Sequence, residues 1–349
     1  MNGQELQKQK KVVLAVSGFL ILISLFGAID VRNLNYAGYT LGSDNVFTAV
    51  TEDSPAEQAG MQVGDQLVSI NGIAADDIWA RLKQRRGRIG ETRSYTVKRQ
   101  ESTLPLEITY SGLPTNSMIV NLCYSVVGFA FLLSGLFVFN RIQNKTTLFL
   151  ALAFLGLGTV FINRLYFDSY GLRGFFNTIL NAGNIFSVAF LVHLLLRIPE
   201  PRAWLRKRFA MPLLYAFPTA LAGFVLLMII FTPANFSPGF LGALSGVYFG
   251  LYLLLSVIIM IRAFVKASAE IRQIHGLRLM LYGIVLGLAP ALVATISGLI
   301  APNFSLPGAT YYFFTMVAIP VSFAYAVIKR EASLQPSTVS QPAKIAIHA

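Results

Sequence analysis

The chain has 349 residues, of which 55% are hydrophobic and 13% charged, with a formal net charge of +12. Soluble domains carry roughly a quarter charged residues, so this composition excludes an ordinary soluble enzyme and makes lipid the solvent for much of the surface. The positive excess is not a nucleic-acid stripe: residues 30–115 hold nine Lys/Arg against eleven Asp/Glu, while the other 19 basic residues cluster between apolar runs. No nucleic-acid partner is expected.

In chain order, an uncharged run at 12–29 follows Lys8, Lys10 and Lys11. It is longer than a signal-peptide core, and Phe26 stands where a small residue would favour cleavage at Ala28. It therefore reads as an uncleaved first membrane helix, with a signal peptide as the alternative.

Residues 31–113 change character. Val46–Val50 reads as a strand, Ser54 as the N-cap of a short helix with Pro55 at its first position, and Gly60 as its left-handed end. Gly64–Asp65 predicts a turn, Leu67–Ile70 a strand, and Asn71–Gly72 a tight hairpin. A second helix is expected near 75–86, then strands at 94–98 and 104–110 that close a small barrel.

The string Ser54-Pro-Ala-x-x-Ala-Gly60, then Gly64-Asp65, then Ile70-Asn71-Gly72 resembles a bacterial PDZ domain of the kind attached to envelope proteases. The resemblance spans roughly 33–112. It implies capture of an extended peptide or a protein C-terminus by strand addition at a sheet edge, with backbone amides receiving the terminal carboxylate. The implied carboxylate loop is Tyr36-Ala37-Gly38-Tyr39, continuing into Thr40 and Leu41, although Ala37 is smaller than the family's usual residue. Ile78 and Leu82, at i, i+4 spacing, would form the groove's far wall; Leu41, Ile78 and Leu82 can equally be ordinary core. The basic run Arg81, Lys83, Arg85, Arg86, Arg88 is either a solvated face or a contact for acidic ligand or lipid headgroups.

From 116 onward, seven further apolar runs reach spanning length, near 116–139, 146–166, 174–196, 211–231, 240–263, 277–300 and 308–328. If the N-terminus lies inside, 17 of the 19 basic residues outside 30–115 fall on the inner side, leaving Arg164 and Arg173 outside. This alternation predicts eight spans with both termini cytoplasmic and residues 31–113 outside the membrane. The stretch 331–349 reads as a disordered tail.

The segments His193-Leu-Leu-Leu-Arg-Ile-Pro-Glu-Pro-Arg202, Ile271-Arg-Gln-Ile-His-Gly-Leu-Arg278 and Ile319-Pro-Val-Ser-Phe-Ala-Tyr-Ala-Val-Ile-Lys-Arg330 resemble parts of a seven-helix unit. That unit forms the sensory half of some bacterial sensor histidine kinases and serine phosphatases. In those proteins a catalytic domain follows the last helix, and the roughly 20 residues after it here leave no room for one, so the resemblance implies a receptor half acting through a separate kinase, phosphatase or protease, or a relative with another task.

Enzymatic chemistry finds no constellation. His193, His275 and His348 are the three histidines and no His-Glu-x-x-His occurs, which excludes the usual zinc intramembrane protease. Gly242-Ala-Leu-Ser245-Gly has the wrong spacing for a rhomboid-like site, and Ser134-Gly135, Ser245-Gly246 and Ser297-Gly298 read as close helix packing. The single cysteine, Cys123, allows neither an intrachain disulfide nor a cysteine metal cluster. No metal, cofactor or catalytic residue is expected. Asn163, Arg164, Asn177, Asn181 and Asn184 form a candidate membrane pocket, against interhelical hydrogen bonding and an Arg164–Asp168 pair as the alternative.

The expected architecture is a mainly α membrane protein of about eight helices with an inserted extracytoplasmic α+β PDZ domain: anchor 1–30, PDZ domain 31–113, seven-helix domain 114–330, tail 331–349. The expected function is a non-catalytic sensor or adaptor of the bacterial inner membrane, with peptides or protein C-termini and membrane lipid as partners. A regulatory or structural subunit docked through the PDZ domain is the first alternative, and a small-molecule transporter the second.

Overall fold

Each of the eight apolar runs becomes helical in the computed structural model, which describes residues 3–42, 44–163, 165–231, 238–300 and 308–334. Such runs close their backbone hydrogen bonds within themselves, as a solvent without water demands. Helix α1 (Gly3–Asp30) passes through a 3-10 turn, Val31–Asn33, into a β-rich unit. That unit comprises β1 (Asn35–Tyr36), β2 (Tyr39–Leu41), β3 (Phe47–Val50), α2 (Pro55–Gln58), β4 (Gln66–Ile70), β5 (Ile73–Ala74), α3 (Ile78–Lys83), β6 (Thr92–Arg99), β7 (Ser102–Thr109) and β8 (Ser111–Gly112).

The antiparallel order β5–β4–β6–β7 forms its main sheet, β2 pairs with β3, β1 pairs with β8, and a Val46–Gln66 bridge joins the β2–β3 pair to β4. Strand β6 buries Arg93, Tyr95 and Val97 and exposes Thr92, Ser94 and Lys98. That is the two-residue period of a strand with one face on a core. Phe47, Met61, Leu67, Tyr95, Val97 and Ile108 make up the centre of that core.

After it come α4 (Thr115–Arg141), α5 (Lys145–Phe161), α6 (Tyr170–Leu196), α7 (Ala210–Phe231), α8 (Pro238–Lys266), α9 (Ala269–Ile274) and α10 (Leu277–Ile300). A 3-10 stretch, Ala309–Val317, then precedes α11 (Ala318–Leu334). Among the described residues, six helical segments are long and apolar enough to cross a membrane: Lys10–Asn33, Thr115–Arg141, Tyr170–Leu196, Ala210–Met228, Ala243–Lys266 and Tyr311–Glu331. Lys145–Phe161 and Leu277–Pro290 are shorter apolar helices. Outward faces carry bare apolar side chains, such as Leu213, Val247, Leu251 and Val285, each more than half exposed. Apolar faces of that kind suit contact with lipid or with other apolar protein surface.

Several boundaries differ from those read off the sequence. The helix expected over 146–166 ends at Phe161. It starts where Asn144 and Thr147 form a reciprocal capping box, and it stops at Ile162, whose backbone is extended, ahead of Tyr166, which meets the β-rich unit at Arg86. The helix expected over 75–86 shrinks to Ile78–Lys83, capped by Asp77, whose Oδ1 accepts from the Ala80 amide at 2.8 Å. The last span begins as a 3-10 helix and runs on to Leu334, into the stretch expected to be disordered. The remainder of that tail, 335–349, lies outside the described residues.

Helix α5 lies between α4 and α6, and the contact is close because glycines face it. A Cβ on Gly158 would come within 2.8 Å of Leu132 Cγ and 2.9 Å of the Gly128 carbonyl oxygen. Small residues that let helix backbones approach are the packing device of membrane bundles. Gly135 meets Ala151 in the same way, whereas Gly246 faces open space, so the packing expected of the Ser/Gly pairs does not hold at Ser245–Gly246. Gly158→Val is expected to destabilise the bundle by about 1–3 kcal/mol, the usual cost of overpacking a filled interface. A lowered thermal unfolding temperature of the detergent-solubilised protein would register it, with Gly246→Val unchanged as the control.

Candidate functional site: the peptide groove and its junction with the bundle

The loop before β2 is held by its backbone. The Ala37 carbonyl accepts from the Ala56 amide at 2.8 Å, and the Gly38 carbonyl accepts from the Thr51 amide at 2.7 Å. Gly38 sits at φ +86°, a left-handed conformation that glycine adopts without strain. Ser54 stands directly against it and caps α2, its hydroxyl accepting from the Glu57 amide at 3.3 Å, while Glu57 reaches back to the Asp53 amide at 2.7 Å. The Gly64–Asp65 turn is fixed by charge. Arg99 grips the buried Asp65 carboxylate through Nε and Nη2, both at 2.7 Å, a bidentate pair. The Arg99 hydrogen bond holds the Asp65 carboxyl below the usual carboxylate range, against the opposing effect of burial.

Beyond that loop, β2 pairs only with β3 among the described residues, so its other edge carries no strand partner. Along β2, Tyr39 and Leu41 pack toward the core while Thr40 is exposed. Tyr39 meets Phe47 edge-to-face at 5.0 Å, and its hydroxyl lies 3.1 Å from that of Tyr95, which lies 2.6 Å from that of Tyr110. Burial raises the Tyr39 and Tyr95 hydroxyls above the ordinary tyrosine value, so both stay protonated and act as hydrogen-bonding groups. Leu82 projects from α3 with 45% exposure, which removes it from the core. Ile78 is the first residue of the same helix.

The basic run does not behave as a uniform face. Arg81 donates to the Ala75 carbonyl at 2.8 Å, and Arg85 to Glu91 at 2.7 Å. Arg86 pairs with Asp30 of α1 at 3.2 Å and stacks its guanidinium over the Tyr166 ring, while Arg88 reaches Asp168 at 3.3 Å. The Tyr166 hydroxyl also accepts from the Arg86 amide and from Arg173. Arg173, in the first turn of α6, then donates to the Leu82 carbonyl at 2.6 Å and the Gln84 carbonyl at 3.2 Å. The end of α3 is thus tied to the helical bundle. Asp30, Asn33, Arg86, Arg88, Tyr166 and Asp168 line a polar cleft at this junction. These separate acceptors explain why α3 stops early: the arginines after it fan out in extended backbone.

Of the candidate membrane pocket, Asn184 accepts from the Thr159 hydroxyl of α5 at 2.6 Å, and Asn163 donates to the Asn121 carbonyl at 3.4 Å. Asn177 and Asn181 lie on α6 with partners of their own. Arg164 lies outside the described residues, and Asp168, its expected mate, pairs with Arg88. Sequence reasoning missed the Asp30–Arg86–Tyr166–Arg173 junction. The available signal was charge left at three helix ends that the topology places on one side.

Residues 46–78 match the family model of the PDZ domain, from the strand that opens the core to the first residue of α3. A comparison with curated proteins returns no match. The chain therefore combines a PDZ domain with a largely helical, membrane-compatible remainder.

Glu91 holds the junction segment from within. Burial would raise its carboxyl, but the Arg88 amide and the Arg85 and Arg93 guanidiniums outweigh it and hold the pKa at about 2. Because the folded value is depressed, the stabilisation is present in full above the unfolded carboxylate's value of about 4.3. It is lost as the pH falls through about 2. Glu91→Gln is expected to lower the melting temperature at pH 7 and to flatten its fall between pH 4.5 and pH 2. Thermal melts across that range would show both effects.

Proposed function

We propose that this chain is a non-catalytic membrane sensor or adaptor whose PDZ domain captures an extended peptide or a protein C-terminus outside the membrane. The carrying observation is the unpaired edge of β2, behind the clamped Ala37–Gly38 loop, in a domain whose α3 is bonded through the Leu82 and Gln84 carbonyls to Arg173 of the bundle. A peptide lying along β2 adds a strand, and Thr40 and Leu41 supply the backbone edge. The exposed Leu82 side chain offers an apolar wall. Any shift of α3 on occupancy pulls on the first turn of α6, and the Tyr39–Tyr95–Tyr110 hydroxyl chain links β2 to the same junction.

The bundle in this reading has eight spans. Lys145–Phe161 measures about 26 Å at 1.5 Å per residue, close to the roughly 30 Å of a hydrocarbon core. The clustering of basic residues at the α4–α5, α6–α7 and α8–α10 connections and at Lys329–Arg330 near the end of α11 supports a cytoplasmic position for those ends in a bacterial inner membrane, opposite the PDZ domain. The seven helices after the PDZ domain act as a receptor-like unit that signals through a separate partner such as a kinase, phosphatase or protease.

Peptide arrays probed with the full-length protein in detergent test the capture. Extended peptides with apolar free C-termini are expected to bind, C-terminal amidation to weaken them about tenfold or more through loss of a charge-assisted contact, and Leu82→Glu to abolish binding. Absence of any preference for free C-termini at millimolar peptide defeats this reading. Orientation is tested separately. A Glu101→Cys variant in a Cys123→Ala background is expected to react with a membrane-impermeant maleimide in intact spheroplasts, whereas labelling only after lysis reverses the topology.

A further inference from the structure

The three stretches that resemble receptor bundles converge at one end of the helical domain. Arg197 is the C-cap of α6, His275 the C-cap of α9, and Arg330 lies on α11. Arg330 reaches the carbonyl of Pro199, two residues beyond Arg197, through Nη2 at 3.0 Å. Gly276, at φ +61°, packs so closely on α11 that a Cβ would fall 2.7 Å from Ala326 Cβ. Ala326 and Arg330 are i, i+4 neighbours on one helix face, which sets His275 beside the guanidinium.

Arg330 and His275 are each 8% exposed. Arg330 Nε and Nη1, Arg197 Nε and His275 Nδ1 are buried without a hydrogen-bond partner. Glu331 stands 4.0 Å from Arg330 Nη1, beyond hydrogen-bond reach, and Glu200 is exposed. Burial, and after it the Arg330 charge, lowers the His275 pKa, so at neutral pH the ring is uncharged and Nδ1 can carry its proton as a donor. Leaving guanidinium N–H groups dehydrated and unpaired is costly unless an acceptor is supplied.

We propose that Arg197, His275 and Arg330 form a binding site for a phosphoryl oxyanion at this end of the bundle. The donors approach from three separate elements. Free phosphate presents acceptor oxygens in several directions to such an arrangement, and the phosphodiester of a lipid headgroup presents its two anionic oxygens. Arg202, Arg206, Lys207 and Arg208 in the α6–α7 connection, with Lys329 beside the site, add a positive field that draws anions toward it. The group is carried either by an anionic lipid headgroup at the bundle's edge or by free phosphate. The site stands apart from the peptide groove and does not depend on it.

The test uses the full chain, delipidated in a phosphate-free maltoside detergent, with thermal unfolding as the readout. One arm titrates sodium phosphate against sodium chloride at matched ionic strength, and the other titrates phosphatidylglycerol against phosphatidylcholine. At least one of the two is expected to raise the melting temperature. A rise with phosphate alone assigns a free oxyanion, and a rise with phosphatidylglycerol alone assigns a headgroup. A rise in both arms assigns the phosphoryl group as the shared determinant. Arg197→Gln and Arg330→Gln are expected to shift the half-effect concentration at least about tenfold, the ratio a lost charged hydrogen bond carries. The exposed Lys98→Gln, on β6 of the β-rich unit, is expected to leave it near the wild-type value. Should Arg330→Gln fail to fold, the partly exposed Arg197→Gln carries the comparison. No rise in either arm, or wild-type responses from both site variants, overturns the proposal.

Discussion

A backbone amide or carbonyl in hydrocarbon has no water to bond, and that constraint organises this chain. It turns each long apolar run into a helix and confines strand structure to the segment between α1 and α4, where charge is dense and roughly balanced. It also accounts for the polar side chains inside the bundle finding partners on neighbouring elements. Thr159 donates to Asn184, Tyr248 donates to the Ile185 carbonyl at 2.6 Å, and the His193 ring, stacked on Phe149, lies 2.9 Å from the Tyr215 hydroxyl. Each such pair fixes the rotation of one helix against another, because an unpaired alternative would leave a polar atom in an apolar medium.

The PDZ domain is joined to the helices by more than its two chain connections. Arg86 and Arg173 both converge on Tyr166, from opposite sides of the junction. An arginine suits this place because a planar guanidinium can stack on a ring and donate to carbonyls at once. The end of α5 at Phe161 shortens that helix, and Tyr166, beyond it, lies within reach of both arginines. Asp30 at the end of α1 completes the arrangement, so the first helix, the segment after the third apolar helix and the start of the next all meet the domain at α3 and the arginines that follow it.

The two ends of the bundle differ in how their charge is handled. At the PDZ end, cations and carboxylates pair across the junction. At the other end Arg197 and Arg330 are only partly matched by Glu200 and Glu331, and several buried nitrogens face no acceptor. This contrast between the matched charges of Asp65 and Glu91 and the buried guanidinium nitrogens of Arg197 and Arg330 is what motivates the proposed second site.

Much of the fold was legible in the residues. Ser54, Pro55, Gly60, Gly64, Asn71 and Gly72 announce their turns and caps because each local conformation is dictated by a side chain's own chemistry, and apolar runs announce helices because length and composition suffice. The candidate groove was less legible. Tyr39, Leu41 and Leu82 look alike on paper, yet Tyr39 and Leu41 turn toward the core and Leu82 points outward, since burial depends on which neighbours the sheet supplies. The arginines after α3 looked like one basic run, but each goes to a different acceptor as far away in sequence as Asp30 and Asp168. The sequence by itself determined where helices, turns and the PDZ signature lie, because those depend on residues within a few positions. Only the tertiary structure decided which charges meet, because a salt bridge or an orphaned guanidinium is a property of distances between segments that the order of residues does not contain.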